Sequence, residues 1–279
     1  MPKPVWADRY AVVTGASSGI GAEFARQLAA RGSHLVLTAR REDRLEAIAA
    51  ELATDHGTKS VLLPGDLSNP AEPQRLFEAI AERELDVSLL VNNAGFGQVA
   101  TVPESDLTRT MGIVQVNMAA LTELMYRFLD PMLARDEGSI INVASVAAFQ
   151  PIPYMPVYAA SKAYVLHLTE GLWAELRQTG VHVMAVCPGT TRTEFFDHAG
   201  SPGWAEKHMS STVEQVVRAA LKGCEKQRPV VVPGLANKFL TKLPRIGARK
   251  DVALIARRFF KPRNVKELTA ESTAGDSED

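Results

Sequence analysis

The sequence predicts a doubly wound α/β domain built on one parallel sheet, and three observations carry that prediction. Short apolar runs alternate with longer stretches of helical periodicity from Tyr10 to Gly234, the rhythm of successive βαβ units. The runs lack polar alternation, as strands covered by helices on both faces do. A glycine-rich turn ends the first run, where such folds hold an anion at the opening of the next helix.

Taken in order, "YAVVTG" reads as the first strand and "AEFARQLAARG" as the first helix. "HLVLTA" and "DRLEAIAAELATDHG" form the second pair, and "SVLLPGD" the third strand. The rhythm continues through "RLFEAIAERE", "VSLLVNNAG", a helix from Leu107 to Leu133, "SIINVAS", a helix from Tyr158 to Gln178 and "VHVMAVCPG". A helix from Val213 to Lys226 and the strand "PVVVPG" close the set. Residues 1–233 are therefore expected to form one nucleotide-binding and catalytic domain. Past it, Lys and Arg interleave with Phe, Leu and Ile, so 234–267 reads as a basic amphipathic extension and 268–279 as a disordered acidic tail.

Composition narrows the function. With 46% hydrophobic and 23% charged residues, the 279-residue chain can bury a large core, and one α/β domain accommodates that length. A net charge of -1 and the lack of a base-reading element argue against a nucleic-acid partner. Two cysteines, Cys187 and Cys224, cannot form a disulfide framework and lack zinc-site spacing. Nothing at short spacing around His198 and His208 supports a metal site, so no metal is expected. No run approaches the roughly 20 apolar residues of a membrane span, and "MPKPVWADRY" lacks the apolar stretch of a signal peptide. The expected location is the cytoplasm.

The turn "TGASSGIG" contains Gly15, Ser17, Ser18, Gly19, Ile20 and Gly21. Glycine permits a tight reversal and close approach of backbone to a ligand, and the N–H groups opening the helix favour a pyrophosphate. Thr14, Ser17 and Ser18 add hydroxyl donors. The second strand ends at Ala39, 24 positions after Gly15, close to the roughly 20 at which an acid normally reads the ribose. Here no acid stands, and Arg40 and Arg41 follow. Guanidiniums pair with a 2′-phosphate through charge-assisted bonds, so the expected cofactor is NADP(H), with Arg40 as main ligand and Arg41 in support. The competing reading makes both arginines a solvated helix start.

Chemistry is sought in "VYAASKAYVLHL". Tyr158 and Lys162 lie four residues apart on a helix and so share a face. An adjacent ammonium and the positive helix end are expected to lower the Tyr158 phenol toward neutrality, making it a proton donor to a carbonyl or acceptor from an alcohol. Tyr154 and Tyr164 lack a cation at that spacing. Ser145 ends a buried strand, where its hydroxyl can reach a ligand or cap local backbone. Asn117 sits in an apolar helical stretch, where its amide either bonds backbone or holds a water.

Together these residues resemble the short-chain dehydrogenase/reductase family from about Ala11 to Gly189. "TGASSGIG" is similar to the family's cofactor turn, Asp66 and Leu67 to its adenine contact, and "NNAG", with Asn93, Ala94 and Gly95, to its fourth-strand motif. Asn117, Ser145, Tyr158 and Lys162 match its catalytic tetrad. Pro188, Gly189, Thr191 and Thr193 match the segment that meets the nicotinamide and pyrophosphate. The chain departs modestly, with Ala144 where many members have serine. The resemblance implies that Lys162 binds the nicotinamide ribose and lowers the Tyr158 pKa, that Ser145 holds the substrate oxygen, and that Asn117 positions a water linking Lys162 to solvent. It also implies a Rossmann fold and a homodimer or homotetramer joined through the two long helices.

From Thr193 to Thr212 the chain is aromatic and glycine-broken, and reads as a lid over the crevice. Phe195, Phe196, Trp204 and Met209, with Tyr154 and Met155 opposite, suggest an apolar carbonyl or alcohol substrate. The basic extension, with Phe239, Leu243, Phe259 and Phe260, is expected to pack its apolar side on its own domain rather than on a membrane. The expected activity is an NADP(H)-dependent carbonyl reductase or alcohol dehydrogenase. The alternative is a non-catalytic NADP(H)-sensing or scaffold protein on the same fold.

Overall fold

A computed structural model describes residues 6–201, 211–245 and 247–261. β1 (Tyr10–Thr14) leads into α1 (Gly19–Ala29), β2 (His34–Thr38) into α2 (Glu42–His56), and β3 (Ser60–Leu62) into α3 (Glu72–Ala81). After β4 (Val87–Asn92) come α4 (Leu107–Val114), a π-helical turn (Gln115–Ala120) and α5 (Leu121–Ala134). β5 (Gly138–Val143) precedes α6 (Pro156–Glu175), and β6 (Val181–Val186) precedes α7 (Phe195–His198) and α8 (Val213–Glu225). β7 (Val230–Val231), α9 (Leu235–Leu240) and α10 (Arg249–Phe260) complete the described chain.

The seven strands pair in the order β3-β2-β1-β4-β5-β6-β7, and every pairing is parallel. Alternate side chains divide the core into two layers. Ala11, Val13, Leu35, Leu37, Leu89 and Val91 pack with α1, α2 and α8 on one face. Val12, Val36, Leu90 and Ile140 pack with α3, α5 and α6 on the other. Covering both faces is what requires β4, β5 and β6 to be buried at every position. The strand order reverses between β1 and β4, so a crevice opens above their carboxyl ends.

Local chemistry fixes the boundaries. Gly57, at φ +64°, ends α2 in the left-handed conformation that glycine adopts without penalty. Pro156 opens α6 two residues ahead of the expected start, at a position whose missing N–H costs no hydrogen bond. The expected helix from Leu107 to Leu133 is one rod interrupted by its π turn, a feature concentrated at functional sites. No helix among the described residues is long and apolar enough to cross a membrane. Of the expected lid, Trp204, His208 and Met209 lie outside the described residues, as does the acidic tail.

The basic extension does not fold as expected. Ala256 is buried and Phe260 partly so, but Phe239, Leu243 and Phe259 are exposed. In α9 it is the polar Asn237, and just past its end Thr241, that are buried instead.

Candidate active site

A cleft of about 1020 Å³ runs along the carboxyl ends of the strands. One end is made by the glycine turn. Gly15 and Gly19 adopt φ of +64° and +55°, and a Cβ on Gly15 would lie 2.9 Å from Asn93 Nδ2. Asn93 fastens β4 to this turn, its Nδ2 donating to the carbonyls of Thr14 at 2.9 Å and Gly15 at 3.2 Å. The Thr14 hydroxyl is not a ligand donor as expected. It is buried and accepts the N–H groups of Asn93 and Ala94, each at 2.9 Å.

Gly15, Ser17, Ser18, Gly19 and Ile20 line the cleft, whereas Gly21 lies behind it. A Cβ on Gly21 would come within 2.2 Å of the Gly15 carbonyl oxygen, so its role is close packing of turn on helix. Asp66, Leu67, Ala94 and Gly95 line the adjoining wall. Asp66 Oδ1 accepts the N–H of Ser68 at 2.9 Å. Arg40 is exposed at the cleft edge and forms no ion pair among the described residues. Arg41 donates to Ser17 at 3.2 Å, to Ser18 at 3.0 Å and to Glu194 at 2.9 Å. Glu194 also accepts from Arg44 at 2.6 Å. Arg44, then Arg41, hold its carboxyl at about 2.

Ser145, Tyr158 and Lys162 meet at the other end. Ser145 follows β5 and caps a short 3-10 turn, its hydroxyl accepting from Ala147 N–H at 3.1 Å and lying beside the Tyr158 phenol. Burial pushes the Tyr158 phenol up to about 12, against the lowering influence of Ser145. This corrects the expected depression by Lys162. The Lys162 ammonium turns aside to donate to the Val143 carbonyl at 2.7 Å and stands 5.8 Å from the Tyr158 ring centre. Burial in turn lowers Lys162 to about 8.

Asn117 is buried in the π turn and does not line the cleft. Its Oδ1 accepts Phe96 N–H at 3.1 Å, and its Nδ2 donates to Phe96 O and Ser161 Oγ, each at 3.0 Å. Of the two sequence readings, the backbone-bonding one fits these contacts. Lys162 is nevertheless close: a Cβ on Gly95 would lie 3.0 Å from Asn117 Oδ1 and 3.3 Å from Lys162 Nζ.

Pro188, Gly189, Thr191 and Thr193 pass over the cleft. The Thr193 side chain rests on Gly19, where a Cβ would approach it to 3.0 Å. Beyond it, the Phe195 ring lies 5.1 Å from that of Tyr158 and 5.2 Å from that of Phe196. Met155 lines the same end, but Tyr154, held at φ +69°, does not reach the cleft. Three contributors escape sequence reasoning. Phe260 brings α10 against the cluster of Ile152, Met155 and Tyr158. Glu194 ties the segment that passes over the cleft, a strap from Pro188 to Phe196, to Arg41 and Arg44 at the start of α2. Arg109 donates to the carbonyls of Gly97 and His198, fastening α7 to the loop after β4. None of the three carried a motif, and the partners that place them lie far off in the sequence.

Residues 9–202 match the short chain dehydrogenase family. An uncharacterized oxidoreductase of Staphylococcus saprophyticus is 34% identical over 200 residues, covering 72% of this chain and 84% of that protein. Among solved structures, a short-chain dehydrogenase from Sphingobium yanoikuyae in complex with NADPH superposes with a TM-score of 0.77 at 33% identity, covering 94% of this chain and 98% of the other. The bulky-bulky ketone specific alcohol dehydrogenase from Comamonas testosteroni gives a TM-score of 0.74 at 29% identity, covering 95% and 98%.

Proposed function

This chain belongs to the short-chain dehydrogenase family, and on that premise we propose that it interconverts an apolar ketone or aldehyde and its alcohol, using NADP(H). The observation that carries the reading is a single cleft with Ser145, Tyr158 and Lys162 at one end and Arg40 and Arg41 at the other. The glycine turn between them suits a pyrophosphate, because Gly15 and Gly19 take positive φ and a Cβ at either would strike Asn93 or Thr193, which leaves backbone N–H groups to face a ligand. When bound, the nicotinamide supplies or accepts the hydride.

The chain's own residues manage the proton and the pose. In reduction, the Tyr158 phenol gives its proton to the carbonyl oxygen as the alcohol forms, and in oxidation it takes the proton back. Burial keeps the Tyr158 phenol protonated at neutral pH, the form that donates in the reduction. Ser145 bonds the same oxygen and orients it toward Tyr158. Lys162, whose ammonium is held by the Val143 carbonyl at 2.7 Å, would bond the ribose of the bound nicotinamide. Arg40 takes the 2′-phosphate, with Arg41 beside it. Met155, Phe195, Phe196 and Phe260 supply an apolar wall, in keeping with the ketone named for the Comamonas enzyme.

The exposed Leu107, Met111 and Tyr126 on α4 and α5 suit a homodimer. The free, buried thiols of Cys187 and Cys224 suit the cytoplasm. The test supplies NADPH or NADH at equal concentration with a panel of short, cyclic and long-chain ketones and aldehydes. Expected is NADPH consumption matched by alcohol formed, with NADH slower. NADPH binding without turnover of any carbonyl would favour the sensing or scaffold alternative.

A further inference from the structure

The C-terminal extension carries a surface that hydride transfer does not use. Seven of the twelve exposed large apolar side chains among the described residues fall between 235 and 259. In α9, Leu235, Phe239 and Leu240 are 84%, 64% and 54% exposed. The helix is inside out: Asn237 is buried and donates from Nδ2 to Pro233 O at 2.8 Å, and Thr241 is buried one turn later. Leu243 continues the exposed face, and in α10 Leu254, Ile255 and Phe259 do the same around the buried Ala256. Scattered exposed leucines are normal, but such a concentration marks a surface that something covers.

Charge selects the occupant. Residues 235–261 contain eight Lys and Arg against a single acid, Asp251, in a chain whose net charge is -1. Exposed Lys238 and Lys242 flank the apolar residues of α9, and Arg249, Lys250 and Arg258 flank those of α10. A second copy docked face to face would set one cationic surface against another. An anionic bilayer satisfies both properties at once, with cations among the headgroups and Leu and Phe at the acyl boundary. The surface also adjoins the site, because Phe260 lines the cleft directly after the exposed Phe259.

We propose that α9 and α10 dock this protein on anionic membrane, and that the cleft takes its apolar carbonyl substrate from the bilayer. The docking stands on the surface alone, while the source of substrate rests on the reductase reading above. The test is flotation of the full chain with vesicles of phosphatidylcholine, with or without phosphatidylglycerol. The protein is expected to float with the anionic vesicles and be released by high salt. Phe239→Ser with Leu240→Ser, and separately Lys238→Gln with Lys242→Gln, should each weaken binding by roughly tenfold. Unchanged melting temperature and NADPH affinity would show that both variants fold.

Failure of the wild type to float, or equal flotation of the variants, overturns the docking. So does loss of self-association in Phe239→Ser/Leu240→Ser by ultracentrifugation without any change in flotation, which would assign the face to a second copy. Turnover of a long-chain ketone held in anionic vesicles should exceed that in neutral vesicles by roughly fivefold, with a water-soluble ketone unaffected. Equal rates reject the bilayer as substrate source. Flotation without turnover of any carbonyl rejects the reductase reading and leaves the docking standing, whereas turnover without flotation rejects the docking alone.

Discussion

The two ends of the cleft are built by different means. At the nucleotide end the backbone does the shaping: three glycines within seven residues, pinned by Thr14 and Asn93, leave no room for a side chain. At the substrate end, side chains distant in sequence converge, with Met155, Tyr158, Phe195 and Phe260 in one cluster. The first arrangement is specified locally and tolerates little change. The second depends on packing between elements, so its shape can be altered while the fold persists.

The sharpest way to separate the two ends is Tyr158→Phe. Turnover should fall by roughly 10²–10⁴-fold, the usual contribution of a positioned acid, while NADPH affinity measured by fluorescence titration stays within a factor of about two. Near-normal turnover would remove Tyr158 from its role. The reverse experiment is Ala39→Asp with Arg40→Ala, which replaces an attractive charge by a repulsive one. Preference for NADPH over NADH should drop by roughly 10²-fold, with the rate on saturating cofactor little changed. Unaltered NADPH affinity would exclude Arg40 as the phosphate ligand.

Legibility follows the same division. That Gly15, Arg40, Tyr158 and Lys162 line one cleft was legible because each position depends on spacing within one turn or one helix, whereas their roles were not. The alternation of Ala11, Val12 and Val13 between two core layers follows from strand geometry alone. The direction of the Tyr158 shift was not readable. Four-residue spacing places two side chains on one face but does not say whether the ammonium turns to the phenol or, as here, to the Val143 carbonyl. Nor could sequence show that Phe96 occupies the Asn117 amide, since the π turn that presents it has no simple signature. Phe260 was read as part of a tail because its partners lie far back in the chain.

A smaller effect tests how the two ends communicate. Glu194 engages Arg41 and Arg44 at the nucleotide end, while the adjacent Phe195 covers Tyr158 at the substrate end. Glu194→Gln removes the competitor for Arg41 and a negative charge beside Arg41 and Arg44. NADPH should bind roughly threefold more tightly, the scale of a partly exposed ion pair, with NADH unaffected in the same calorimetric titration. A parallel rise in KM for the carbonyl would show that the strap carries the effect to Phe195. Equal changes for both nucleotides would break that link.

The last contrast is between two cations. Burial lowers Lys162 to about 8 from its ordinary 10.5, so between those values the unfolded chain binds a proton that the folded chain does not. Wild-type stability therefore rises with pH across that window, the cost of the buried charge being fully present below about 8 and relieved by 10.5. Lys162→Met removes this dependence, although it also leaves the Val143 carbonyl without its donor, a loss independent of pH. The melting temperature of the variant minus that of the wild type should accordingly fall by a few degrees, roughly, as pH is raised through the window. Arg44→Met at the nucleotide end should show no such trend, because its partner Glu194 titrates near 2. Its stabilising pair is lost only as pH falls toward that value. A flat difference for Lys162→Met would mean that its ammonium is better solvated in the folded protein than its contact with Val143 implies.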